Sequence, residues 1–111
     1  MIIEAAGPVK YAVIEENTAA SNEIVAAVAS RKLRVLGGVF CNNDTTNDVK
    51  ITFEDEDGVN IIGPITLAAR EKFVLVPSGL GYGETPVGKA LHLLQDGTEV
   101  VAGSLTYQEV K

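Results

Sequence analysis

Val49-Lys50-Ile51-Thr52-Phe53-Glu54 alternates apolar and polar residues without a break, and that alternation decides the fold class. Only a period of two puts Val49, Ile51 and Phe53 on one face and Lys50, Thr52 and Glu54 on the other, so the segment is a half-buried strand. Asn47-Asp48 precedes it and Asp55-Glu56-Asp57-Gly58 follows it. The Asp57-Gly58 pair then leads into Val59-Asn60-Ile61-Ile62, which predicts a hairpin closed by a tight type I′ turn.

Working outward, the same kind of run recurs at spacings of about ten residues. Tyr11 and Val13 alternate with Lys10 and Ala12 within Val9–Glu16. Leu33, Val35 and Val39 are expected to share one face of Lys32–Cys41, with Gly37-Gly38 marking a bend or bulge. Phe73–Pro77 and Ala90–Leu94 are short and strongly apolar. In the last run Val101, Gly103, Leu105 and Tyr107 oppose Ser104, Thr106 and Gln108. Turn clusters separate these runs at Asn17-Thr18, Asn42–Asn47, Gly63-Pro64, Pro77–Gly88 and Asp96-Gly97-Thr98. Asn22–Ala29 is ambiguous: Ile24, Val25, Ala27 and Val28 fit a helical stripe as well as a strand. Counting that segment, the chain has about eight strands, and short strands without helices between them mean a sandwich or a barrel. Residues 1–8 end in Gly7-Pro8 and form an arm before the domain at 9–111. Its apolar tip, Met1-Ile2-Ile3, can fray or lie on a neighbouring subunit.

Composition narrows the function classes. The chain has 111 residues, 9 Lys+Arg and 15 Asp+Glu, for a net charge of −6, with 46% hydrophobic residues. That is the profile of one globular domain. No apolar run approaches the ~20 residues needed to cross a bilayer, and Met1-Ile2-Ile3-Glu4 lacks a basic leader, so no membrane partner is expected. The acidic balance argues against nucleic acid, whose phosphates draw affinity from clustered Lys and Arg. Cys41 is the one cysteine, so the fold stands on packing alone and a zinc site is excluded.

The candidate chemistries fall away in turn. A nucleophilic triad needs a base beside an activated Ser, Cys or Thr, and the one histidine, His92, lies opposite Leu91 and Leu93 on an outer strand face. Ser78-Gly79-Leu80-Gly81-Tyr82-Gly83-Glu84 is glycine-rich, but no Lys-Ser/Thr pair follows, and a carboxylate at its mouth repels phosphate. It reads as an ordered loop with Tyr82 packed beneath it or presented at its tip. Glu54–Gly58 with Asn60 matches the front of a calcium loop but lacks its closing Glu and both helices, so it reads as a solvated turn. Asn43-Asp44-Thr45 matches a glycosylation sequon without a secretory context. No catalytic residue, cofactor or metal is expected.

Four segments carry a resemblance. They are Ile24-Val25-Ala26-Ala27-Val28-Ala29-Ser30-Arg31-Lys32-Leu33-Arg34-Val35-Leu36, then Gly63-Pro64-Ile65-Thr66-Leu67-Ala68-Ala69. The Pro77–Gly88 loop follows, with Glu84-Thr85 before Val87-Gly88-Lys89-Ala90-Leu91, and the ending is Val101-Ala102-Gly103-Ser104-Leu105-Thr106-Tyr107-Gln108-Glu109-Val110. In order and spacing, over about 85 residues, the chain resembles a family of small structural proteins of tailed-bacteriophage virions. It departs from the pattern at Leu80-Gly81-Tyr82-Gly83, where a bulkier aromatic stretch is expected. The resemblance implies a jelly-roll β-sandwich, with Ile24–Ala29 a strand. It implies a capsid decoration (cement) protein, made in the host cytoplasm and carried on the outer head surface. The expected partners are further copies, as a homotrimer, and the major capsid protein.

Val74 and Val76 lie opposite Phe73 and Leu75, and Leu94 lies beside His92, so both faces of these strands are apolar. With Met1, Ile2 and Ile3, the residues Val74, Val76, His92 and Leu94 are therefore the expected subunit or capsid contacts. Leu80, Tyr82 and Glu84 are the expected contacts of the exposed loop. The alternative reading is a fibre knob or carbohydrate-binding sandwich, for which Tyr82 is the available aromatic.

Overall fold

The computed structural model describes residues 7–111; Met1, Ile2 and Ile3 of the expected arm lie outside them. The chain is all-β, with nine strands in two antiparallel sheets and no helix among the described residues. In chain order the strands are β1 (Val9–Glu16), β2 (Ser21–Val25), β3 (Lys32–Asn42), β4 (Val49–Asp55), β5 (Asn60–Leu67), β6 (Lys72–Leu75), β7 (Gly83–Glu84), β8 (Leu91–Gln95) and β9 (Val101–Val110). One sheet has the order β1-β9-β3-β6, with β7 continuing the edge beside β6 along β3. The other has the order β2-β8-β4-β5.

The core is the layer between them. Ile14, Leu33, Val35, Phe40, Val101 and Leu105 face inward from the first sheet, and Val49, Ile51, Phe53, Leu67, Leu91 and Leu93 from the second. Phe40 and Phe53 meet across the layer with ring centroids 5.1 Å apart and planes tilted by 50°. Asn42 is wholly buried at one end and uses its amide fully. Its Nδ2 donates to the carbonyls of Asn47 (2.8 Å) and Leu67 (3.1 Å), and its Oδ1 accepts from Asp44 N–H (3.0 Å).

The alternation of Val49–Phe53 is realised as expected, as is that of β9, but Glu54, expected to face water, is buried where Ser21 Oγ donates to its carboxylate. Four further local expectations need correcting. The hairpin turn is not type I′: Gly58 has φ +83° but Asp57 does not share a positive φ, and Gly58 N–H closes the turn on Asp55 O at 3.0 Å. Gly63-Pro64, expected as a separator, is a cis peptide inside β5, so one strand runs through it. Asn22–Ala29 is a strand and not a helix, but it ends at Val25. Pairing with β3 adds the short β7 where only loop was expected.

The largest correction is on β3. Its pairing with β9 shifts register between Val35 and Gly37, so one extra residue is accommodated there. A one-residue slip exchanges the two faces of everything beyond it. Leu33 and Val35 therefore point inward, whereas Val39 points outward, 44% exposed, and Phe40 takes the core position.

Candidate functional site

Antiparallel partners share a face, so the registers of β1, β9, β3 and β6 define rows across the outside of the first sheet. One row is Val13–Ser104–Val39–Val74, and the next is Glu15–Ala102–Cys41–Lys72. On the other side of the first row lies Tyr11–Thr106–Gly37, with Val76 exposed just past the end of β6. At usual strand spacing and rise, the surface from Val9 to Glu15 across four strands measures roughly 15 Å by 20 Å.

This face is apolar where a solvated sheet would be polar. Val13 is 82% exposed, Tyr11 73%, Val76 65% and Val74 56%. Three sequence features produce it. β1 directs Ala12 and Ile14 inward and so leaves Tyr11 and Val13 outside. The bulge turns Val39 outward. Small residues on the central strands, Ala102, Ser104 and Gly37, keep the floor flat between the larger side chains of the edges.

Charge is confined to the margins. Glu15 on β1 and Lys72 on β6 end the same row at opposite edges. Neither has an ion-pair partner among the described residues. At the far end Glu84 lies 3.0 Å from Arg34 Nε and 3.4 Å from Lys32 Nζ. Burial pushes the Glu84 carboxyl up, but hydrogen bonds from Arg34 and Lys32 outweigh it and hold the group below the usual carboxylate range. Glu84, expected in the exposed loop, is thus a partly buried member of β7. Lys10 pairs with Glu109 at 2.5 Å, which raises the ammonium pKa. Gly7 N–H donates to Glu109 O at 2.8 Å, so the described end of the arm continues the β1–β9 ladder.

The loop between β6 and β7 projects from the edge of this sheet. Ser78 N–H donates to Leu36 O (2.9 Å) and Tyr82 N–H to Val35 O (2.8 Å), which pins both ends to β3. The Tyr82 hydroxyl donates to Val76 O across the loop's base. Tyr82 is therefore a clamp rather than a tip, and Leu80, 91% exposed, is the tip.

His92 and Leu94 are on the opposite surface of the sandwich, outside the second sheet. The structure therefore separates them from Val74 and Val76. His92 is flanked across the strands by Glu23 and Glu54. Ser21 Oγ donates to Glu54 Oε2 at 2.7 Å and lies 2.9 Å from His92 Nδ1. Since the single hydroxyl proton goes to the carboxylate, the His92 contact needs Nδ1 as donor. A nucleophile relay places the imidazole between serine and acid, whereas here the serine lies between His92 and Glu54. This trio draws on residues 33 and 71 positions apart in sequence, and no sequence spacing marks it.

At the acidic turn the carboxylates face the protein's own donors. Asp55 Oδ1 accepts from Asp57 N–H (2.8 Å) and Val59 N–H (3.0 Å), Glu56 Oε1 accepts from Ala90 N–H (2.8 Å), and Asp57 pairs with Lys89 (3.0 Å). Among the described residues no group of three His, Cys, Asp or Glu gathers where it could hold a metal, and no cavity opens. No family model, curated protein or solved structure matches the chain.

Proposed function

We propose that this chain is a non-enzymatic structural protein of a tailed-phage virion, a decoration (cement) protein that self-associates and covers the outer head surface. The observation that carries the reading is the flat, exposed apolar face of the β1-β9-β3-β6 sheet. Such a face works by being covered, whereas small-molecule chemistry needs a concave site. The likeness of Ile24–Val110 to phage structural proteins supplies the setting, and with it the major capsid protein as partner and three-fold lattice positions as the place of assembly. We also read the strand order as a jelly roll. The antiparallel pairs β1/β9, β2/β8, β3/β6 and β4/β5 are those of one long hairpin folded over on itself.

The test is co-sedimentation with capsids that lack the protein. Binding, together with a raised temperature of capsid disruption, is the expected result. Failure to co-sediment at any ionic strength refutes it. The fibre-knob alternative draws on Leu80 at the projecting loop tip, and binding of the purified protein to host cells but not to capsids would establish it.

A further inference from the structure

We propose that the outer face of the β1-β9-β3-β6 sheet is covered by a second copy of this chain. The strands of the two copies run in the same sense, and the β1 edge of one lies on the β6 edge of its neighbour, so that Glu15 of one copy meets Lys72 of the next. The inference rests on the self-association in the function proposed above and names the surface and the register that carry it.

Distribution is the first argument. Among the described residues, six of the eleven exposed large hydrophobics, Val9, Tyr11, Val13, Val39, Val74 and Val76, belong to this face and its immediate border. The outside of the other sheet presents Ser21, Glu23, His92, Thr52 and Lys50 in the equivalent positions, with Leu94 among them. One side of the sandwich is therefore suited to water and the other to burial.

Charge selects the occupant. A chain of net charge −6 repels its own copies, so contact between them needs a neutral centre and margins of opposite sign. Both conditions hold. The two central rows, Tyr11–Thr106–Gly37 and Val13–Ser104–Val39–Val74, contain no charged side chain. The row beside them begins with an acid at one edge and ends with a base at the other. A partner presenting the same row in reverse order satisfies both charges at once, and a second copy is such a partner. Two stacked sheets keep their strands within about 30° of alignment, so row-to-row apposition is the ordinary geometry of face packing. Val13 then falls against Val74, and Ser104 against Val39. A two-fold axis parallel to the strands produces this register and makes both Glu15–Lys72 contacts at once.

The experiment measures mass by sedimentation equilibrium on the whole chain, across about 1–100 µM. Wild type is expected to associate. Val39→Glu is expected to be monomeric with an unchanged β-type circular dichroism spectrum, because the site is outside the core. Glu15→Lys places like charges together and is expected to weaken association about tenfold. The double variant Glu15→Lys/Lys72→Glu is expected to recover most of that loss, which merely removing a charge from the surface would not do. A wild type that stays monomeric, a Val39→Glu protein that still associates, or a double variant no better than the single one each overturns the inference. Capsid binding is scored separately. Loss of capsid binding with the charge-swap rescue intact refutes the decoration function and leaves this interface standing.

Discussion

Replacing Gly103 by alanine tests how closely β3 and β9 approach beneath the exposed face. Gly103 pairs with Phe40 on β3 and Ile14 on β1, in the middle of the sheet. A Cβ there would lie 1.9 Å from Val39 O, 2.9 Å from Val39 C and 3.0 Å from Phe40 Cα. Ordinary contact begins at 3.4 Å, so the carbonyl must retreat by 3.4 − 1.9 = 1.5 Å. That displacement exceeds what a ladder hydrogen bond tolerates, and it draws Phe40 out of its packing with Phe53. Two lost ladder bonds with their groups kept from water come to about 3 kcal/mol. Gly58→Ala is the control: its Cβ meets nothing within 4 Å, and only the φ of +83° opposes it, at about 1 kcal/mol. In urea titrations at one fixed protein concentration, Gly103→Ala should lower the midpoint by about 2 M and Gly58→Ala by less than half as much. Equal shifts for the two variants would show that the strands do not approach as closely as described.

Asn42→Ala should cost about 2–3 kcal/mol in the same titration, because it leaves the Asn47 and Leu67 carbonyls buried without donors; a cost below about 1 kcal/mol would mean that water replaces the amide. Glu84 has a lowered pKa in the fold, so its contribution is present above its ordinary value of 4.5 and is lost as pH falls below that through the folded-state value. Thermal unfolding of wild type and Glu84→Gln should therefore differ at pH 7 and converge toward pH 3, and a gap that widens in acid would reverse the assignment.

The alternation of Val49–Phe53, the hairpin that follows it and the inward parity of β9 were legible because a period of two is a local property, readable from a handful of neighbours. The outward position of His92 was legible for the same reason. Other features were not local. The bulge beside Gly37 was foreseeable as an irregularity, but the residue at which it falls is set by the pairing of β3 with β9. Counting parity straight through it assigned Val39 to the core when it lies outside. Glu84 read as a loop residue because its strand has two residues and exists only through the edge of β3.

By itself, the sequence determined the fold class and the parity of each uninterrupted run, because these depend on side-chain chemistry and on backbone geometry over a few residues. Only the tertiary structure decided which runs share a sheet. That is what gathers Tyr11, Val13, Val39 and Val74, drawn from three strands, onto one surface, and what sends His92 and Leu94 to the opposite one. The physical reason is that strand pairing is non-local. Backbone hydrogen bonds are alike in every register, and the register is chosen by the whole set of side chains that must be buried between two sheets at once.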